Sequence, residues 1–387
     1  MQFHRALATG ADLEAACREV VASLRSGLGA GPIDLAFVFA SPRYGLTIDR
    51  LPILLHDLLG ARTLVGCSAA ALSDEANVLD VGRHGIAVLA GRLPGAHIDT
   101  VALGTGDLPS PDAPPAAWRA LLPACPHERT GMIVLTEPFH CDTRALLAGL
   151  DFGFPGVPKV GGIASGSRHP EGHSLFHGRS TQRAGAIVLS LAGNVELTTI
   201  STPGCRPFGR VGRVTAAGKN RLLEVDDRPA RAFIEEQLEQ LDDDQRAQAQ
   251  QSPLLLAITP DPFATTDPGD GEFLVCNILG VDQAGQLVVA EHLPTGRTVR
   301  LLMRDESSAG ADLEQRLRSG RQPRAAGALL FRCLGRQGAD HAAFAQAADG
   351  VPMVGFHCNG EIAPTAGQTH LQAFTAAYGL FRPRSDA

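Results

Sequence analysis

The sequence predicts an α/β protein built from repeated βαβ units in mixed sheets and arranged as two tandem halves. Three observations carry that expectation. A strand–helix–strand pattern occurs three times, with the second strand following the first by 28, 27 and 25 residues (Phe37 to Val65, Ile133 to Val160, Leu329 to Val354). In each unit the second strand reads Val-Gly followed by small or polar residues. The chain has 387 residues, 44 % apolar and 19 % charged, enough to bury a sizeable core.

The first unit is "IDLAFVFAS", then "TIDRLPILLHDLLG" at helical spacing, then "TLVGCSAA". The second is "GMIVLTEP", "DTRALLAGL" and "PKVGGIASG"; the third is "AAGALLFRC", "DHAAFAQAADG" and "PMVGFHCNGE". Spacing of this size suits a right-handed crossover between parallel strands. The first two units share a tail of two strands around a glycine turn, "HGIAVLAGRLPGAHIDTVALG" and "AGAIVLSLAGNVELTTISTPG". The third closes on "LQAFTAAYGLFR", read as one final strand. Between the second and third units, residues 210–324 differ. "GRVGRVTAAG" and "NRLLEVDD" read as a hairpin, and "RPARAFIEEQLEQL" as a helix with Pro229 near its start. "PLLLAITP", "EFLVCNILGVDQAGQLVVAEHL" and "TVRLLMRD" read as strands. The expected domains are 20–215 and 216–380. Two Pro-rich stretches, "GDLPSPDAPPAAW" and "DPFATTDPGDGE", read as surface loops.

Composition narrows the function. The net charge is −7, the only lysines are Lys159 and Lys219, and no basic stripe is present, so nucleic acid is not expected as a partner. The N-terminus lacks a signal-peptide apolar region and no apolar run approaches the length of a membrane span, so no membrane is expected. Eight cysteines without a CxxC pair read as reduced, which suggests the cytoplasm.

Ligands of open parallel sheets bind beyond the carboxyl ends of the strands. That places Gly66, Cys67, Ser68, Gly161, Gly162, Gly355, Phe356, Asn359, Gly360 and Glu361 at a candidate rim. Glycine lets a ligand approach the backbone. Glu361 can accept an ammonium and Asn359 an amide or carboxylate. Arg336 and Arg206 can hold a carboxylate with two parallel bonds. The set suits a zwitterion such as an amino acid. The competing reading is structural: Glu361 and Arg336 form an ion pair and the glycines serve turns. His357 and Cys358 are neighbours and on a strand point to opposite faces, so they cannot form a nucleophile pair there. His169, His173 and His177 stand four apart, but Pro170 and Gly172 break the helix that would align them, so no bound metal is expected in the protein. No phosphate loop is present and no cofactor is expected. "GLGAGP", residues 27–32, follows a helix and reads as its C-cap.

These residues resemble the FIST family, with a FIST-N half followed by a FIST-C half. "LVGCSAAAL", "PKVGGIASG" and "PGCRPFGRVGRVTAAGKNRLLEVDDRPA" carry the likeness in the first half, "LLFRCLGRQ" and "MVGFHCNGEIAP" in the second. The resemblance covers residues 20–380. It implies a sensory module of intracellular bacterial signalling that binds a small ligand, with amino acids as the suggested class, a signalling protein as partner and no chemistry of its own. The alternatives are an enzyme acting through Glu361 or Cys358, and a protein-interaction adaptor.

Overall fold

The computed structural model describes residues 1–250, 254–260, 267, 273–290, 293–318, 324–336, 338, 340–348 and 350–384. The second Pro-rich stretch, 261–272, lies outside the described residues except Asp267.

The first unit opens with β1 (Gln2–Thr9) and α1 (Leu13–Leu28). Asp12 caps α1 by accepting from the Ala15 N–H, and Gly29 ends it at a positive φ of 70°, which glycine tolerates, with its N–H bonded to the Arg25 carbonyl. Then come β2 (Ile33–Ala40), a 3₁₀ segment Pro42–Arg50 kinked at Gly45, α2 (Leu51–Leu59) and β3 (Ala61–Ser68). A short hairpin, β4 (Leu72–Asp74) and β5 (Val78–Leu79), precedes the tail strands β6 (Gly85–Arg92) and β7 (Ala96–Leu103). After α3 (Pro115–Arg119) the second unit repeats the order: β8 (Arg129–Thr136), α4 (Thr143–Gly153), β9 (Lys159–Ile163), hairpin β10 (Leu175–His177) and β11 (Ser180–Gln182), tail β12 (Ala186–Gly193) and β13 (Val195–Pro203).

Residues 205–304 form a separate sheet: β14 (Cys205–Ala217), β15 (Arg221–Val225), β16 (Arg228–Pro229), β17 (Leu255–Ile258), β18 (Leu274–Val281), β19 (Leu287–Val289) and β20 (Thr298–Arg304). Pairing of β14 with β15 closes it on itself, and α5 (Ala230–Glu239) packs Phe233 and Ile234 into its core; α6 (Asp243–Gln250) follows α5. The expected domain boundary at 215/216 falls inside β14. The third unit is α7 (Glu306–Arg318), β21 (Gly327–Cys333), α8 (Asp340–Ala348), β22 (Met353–Cys358), hairpin β23 (Glu361–Thr365) and β24 (Gln368–Gln372), and β25 (Thr375–Pro383). The expected single final strand is therefore two, divided at Phe374, whose φ is 56°.

All three βαβ crossovers join parallel strands, β2 with β3, β8 with β9 and β21 with β22. The tails form the two strands read from the sequence, but those strands do not pair with each other. They are not hairpins: β7 leaves its unit to pair with β12, and β13 leaves to pair with β25. The short hairpins move the same way. Hairpin β10–β11 of the second unit pairs with β3 of the first, β23–β24 of the third with β9 of the second, and β4–β5 of the first with β22 of the third. The exchange is cyclic, and each six-stranded sheet is assembled from more than one unit.

The central strands are buried on both faces, which is why they read as unbroken apolar runs. Along β2, Leu35, Phe37 and Phe39 enter one core shared by all three sheets, while Ala36, Val38 and Ala40 face α1 and α2. Separate clusters lie between the second sheet and α4 and between the third sheet and α7 and α8.

The Val-Gly glycines are a correction to the sequence reading. Gly66 is bonded between Val38 and Phe176, Gly161 between Val134 and Ile362, and Gly355 between Leu330 and Ser73. They are interior strand positions rather than a ligand-facing rim. A Cβ at Gly66 would lie 1.7 Å from the Val38 carbonyl oxygen, and one at Gly161 1.8 Å from that of Val134. Glycine is required so that the parallel strands can approach. Gly66→Ala and Gly161→Ala are expected to destabilise by more than the roughly 1–3 kcal/mol of ordinary overpacking. Gly310→Ala on α7, where the nearest atom is 3.8 Å away, is expected to stabilise by about 0.5–1 kcal/mol. Urea titration of the three variants reads both signs, and equal effects would overturn the assignment.

Candidate functional site

The carboxyl ends of β3, β9 and β22 meet, as the strand reading expects, but they bond to one another. The Ser165 N–H donates to the Ser68 carbonyl at 3.2 Å, and the His357 N–H to that of Ala71 at 3.0 Å. The Ser165 hydroxyl accepts from the Ala70 N–H at 2.9 Å and donates to the His357 carbonyl. Asn359 donates through its N–H to Ile163 at 3.1 Å and through Nδ2 to the Ala164 carbonyl at 2.9 Å. The Ser68 hydroxyl accepts from the Ser174 N–H at 3.0 Å.

Several expected ligand contacts are core contacts instead. Cys67 is buried in the shared core. Phe356 packs against Phe39 and Phe331, with ring centres 4.7 and 5.6 Å apart. Gly162 faces Cys358 and Phe356, and Gly360 faces Leu371 and Ile163. Arg206 lies away from this junction, paired with Asp305 at 3.1 Å on a half-exposed surface.

Glu361 is fully buried at the start of β23, with Ile362 anchored in the core beside α4, as the sequence suggests. Its partners differ from the expectation. Oε2 accepts from the Thr375 N–H at 3.2 Å and from its hydroxyl at 2.7 Å. The Cys358 thiol stands 3.5 Å from Oε1, and Cys333 also hydrogen-bonds the carboxyl. Burial pushes Glu361 up to about 7 against the opposing pull of these donors. Burial, with Glu361 as a secondary cause, also raises both thiols, Cys333 to about 11 and Cys358 well above its ordinary value. Such thiols are poor nucleophiles at neutral pH.

Arg336 pairs with Asp340 rather than with Glu361. Its Nε and second terminal nitrogen reach the two Asp340 oxygens at 2.8 and 2.5 Å. Its remaining terminal nitrogen donates to the Thr202 and Phe374 carbonyls. Arg332 shares Asp340 at 2.8 Å and lies against the His357 ring. Burial alone would raise Asp340, but the two guanidinium groups hold it below the usual carboxylate range. Burial and Arg332 push His357 down to about 4. His357 and Cys358 do point apart: the imidazole meets Arg332 and the thiol meets Glu361.

The cavity beside this junction lies between the first two units and encloses about 630 Å³. One part of its lining follows β2: Pro42, Arg43, Leu46, Ile48 and Asp49. The other follows β9 and reaches onto the exchanged hairpin: Ser167, Glu171, Ser174 and Arg183. Arg183 donates to the Ser174 hydroxyl at 2.7 Å and to Asp49 at 2.5 Å. Arg43 donates to the Gly82 carbonyl at 3.1 Å. Ser174 connects the cavity to Ser68 through the bond given above. The sequence reading located the strand ends but missed these side chains. "SPRYG" directly after β2 was the available signal; nothing local marks Arg183.

His169, His173 and His177 go to separate surroundings. His169 is exposed, His173 is buried against Phe139, and the His177 Nε2 bonds the Thr100 hydroxyl at 2.8 Å.

The Glu361 environment has a pH signature. A carboxyl whose folded pKa stands above its unfolded value of 4.5 takes up a proton on folding. Its stabilising contribution is full below about pH 4.5 and is lost as pH rises through about 7. Glu361→Gln keeps the shape without the charge. Its stability relative to the wild type is expected to rise from pH 5 to pH 8 by up to roughly 3 kcal/mol. His357, neutral when folded, acts in the opposite sense at acid pH and cancels in this comparison. Urea midpoints across the range read the difference, and a constant offset would refute it.

Among the described residues no helix is long and apolar enough to cross a membrane. An uncharacterised protein of Mycobacterium bovis is 30 % identical over 400 residues, covering 98 % of this chain and 99 % of its own. An uncharacterised protein of Mycobacterium tuberculosis is 28 % identical over 398 residues, covering 98 % and 100 %. A crystal structure of a cyanuric acid hydrolase from A. caulinodans overlaps 100 % of this chain and 99 % of its own at 10 % identity and a TM-score of 0.34, too distant to bear on function. The FIST N domain matches residues 34–228 and the FIST C domain residues 230–364. The chain belongs to the FIST family, whose domains are described as sensory modules of signal transduction.

Proposed function

We propose that this protein is a small-ligand sensor of intracellular signalling, acting in the cytoplasm on an amino acid or related zwitterionic metabolite and passing its state to a signalling protein. One observation carries the reading: a cavity at the carboxyl ends of the strands, where α/β sheets take ligands, that carries both cations (Arg43, Arg183) and carboxylates (Asp49, Glu171). A carboxylate and an ammonium on one small molecule would each find a partner there. The walls come from two units, so occupancy is felt by both, and a ligand that binds one arrangement of the units better shifts the population toward it.

Binding without turnover is favoured over chemistry by the same geometry. The two groups an enzyme would use, Glu361 and Cys358, are sealed from solvent, and burial holds the thiol protonated.

The test is a thermal-shift panel of amino acids and related metabolites on the whole chain. A ligand at 100 times its Kd is expected to add about 2.7 kcal/mol of stability, and Arg183→Gln to lose most of that response while still folding. A response unchanged by Arg183→Gln would place the site elsewhere. Consumption of the ligand would make the protein an enzyme.

A further inference from the structure

We infer that the protein carries a transition-metal site of the zinc type at His97, Asp99 and Cys125. One ligand-capable atom from each residue lies within 4.8 Å of the others, the one such trio among the described residues. A tetrahedral zinc ion with sulfur at about 2.3 Å and nitrogen or oxygen at about 2.0 Å separates its ligands by roughly 3.5 Å, so a small closure completes the site. The donor set of one imidazole, one carboxylate and one thiolate suits zinc rather than calcium or magnesium, which take oxygen ligands.

The backbone explains the convergence. His97 and Asp99 are two apart on β7 and therefore share a face of the strand. Cys125 comes from the loop that leads into β8. The carboxylate is already oriented. The Arg129 guanidinium holds Asp99 Oδ2 at 3.1 Å and also bonds the Ser190 hydroxyl and the Pro123 carbonyl. That leaves Oδ1 turned to His97 Nε2 at 3.1 Å. An outer contact that fixes a ligand in this way is a regular companion of metal sites.

Cys125 has an approach from solvent. Cys125 and His127 line a cavity of about 770 Å³ between α3 and the turn after α4. The His127 ring centre stands 6.2 Å from that of His97. An ion here would tie β7, the edge strand of the second sheet, to the loop before β8. This is remote in sequence from the residues of the amino-acid cavity, and the inference does not rest on that reading.

Cobalt(II) titration of the chelator-treated whole chain tests it, because cobalt reports thiolate and geometry in its absorption. The expected result is one equivalent bound, with a thiolate-to-cobalt charge-transfer band. Cys125→Ser should abolish the band and Cys141→Ser should keep it. His97→Ala should weaken cobalt binding by about tenfold or more. Circular dichroism of each metal-free variant verifies the fold. Absence of binding to the folded wild type, or a charge-transfer band retained in Cys125→Ser, would overturn the assignment.

Discussion

The structure depends on a bonding requirement that no unit can meet alone. Each of β3, β9 and β22 is hydrogen-bonded on one side to its own crossover partner and on the other to a hairpin from a different unit. Buried backbone groups must be paired, so the borrowed hairpins are obligatory parts of the sheets. The glycine in each Val-Gly pair lets the strands come close enough to bond on both sides. The common core follows, since three sheets joined in a cycle turn one face each toward the same interior.

The polar groups of the junction serve this closure. Ser165 joins the strand ends of all three units by accepting from Ala70 and donating to His357. Glu361 lies one residue past the Gly360 turn, where the third unit's chain crosses to the second sheet, and its carboxyl is consumed by Thr375 at the start of β25. Arg336 bonds Asp340 and the Thr202 and Phe374 carbonyls, so one guanidinium ties α8 to the end of β13 and the turn before β25. Losing one partner of such a buried network strands a charge, which costs several kcal/mol.

The three βαβ crossovers were legible in the sequence because period and spacing are local signals. The exchange was not. The hairpins β4–β5 and β10–β11 have strands of two or three residues, too short for alternation to register, and nothing in them names the sheet they join. The Arg336–Glu361 pairing failed for a related reason. Asp340 stands four residues from Arg336 and reaches it within one turn of chain, whereas Glu361 finds donors in residues 375, 358 and 333. The cavity lies beyond strand ends that the sequence marks, but Arg183 in its lining directly follows a borrowed hairpin, which nothing local records. Glycines at strand interiors and glycines at ligand rims look alike in sequence, since both answer to the need for a missing Cβ.

The cyclic exchange also sets an order of events at the ribosome. Hairpin β4–β5 is finished after 79 residues, but its partner β22 begins at residue 353. Some 270 residues must therefore be synthesised before the ring can shut. Until then the emerging chain holds strand edges whose N–H and C=O groups have no permanent mate, and such edges invite pairing with other chains. Contacts so distant in sequence also slow folding. The protein is thus committed to late, all-at-once closure, and a chain truncated before its third unit lacks two strands of one sheet and three of another.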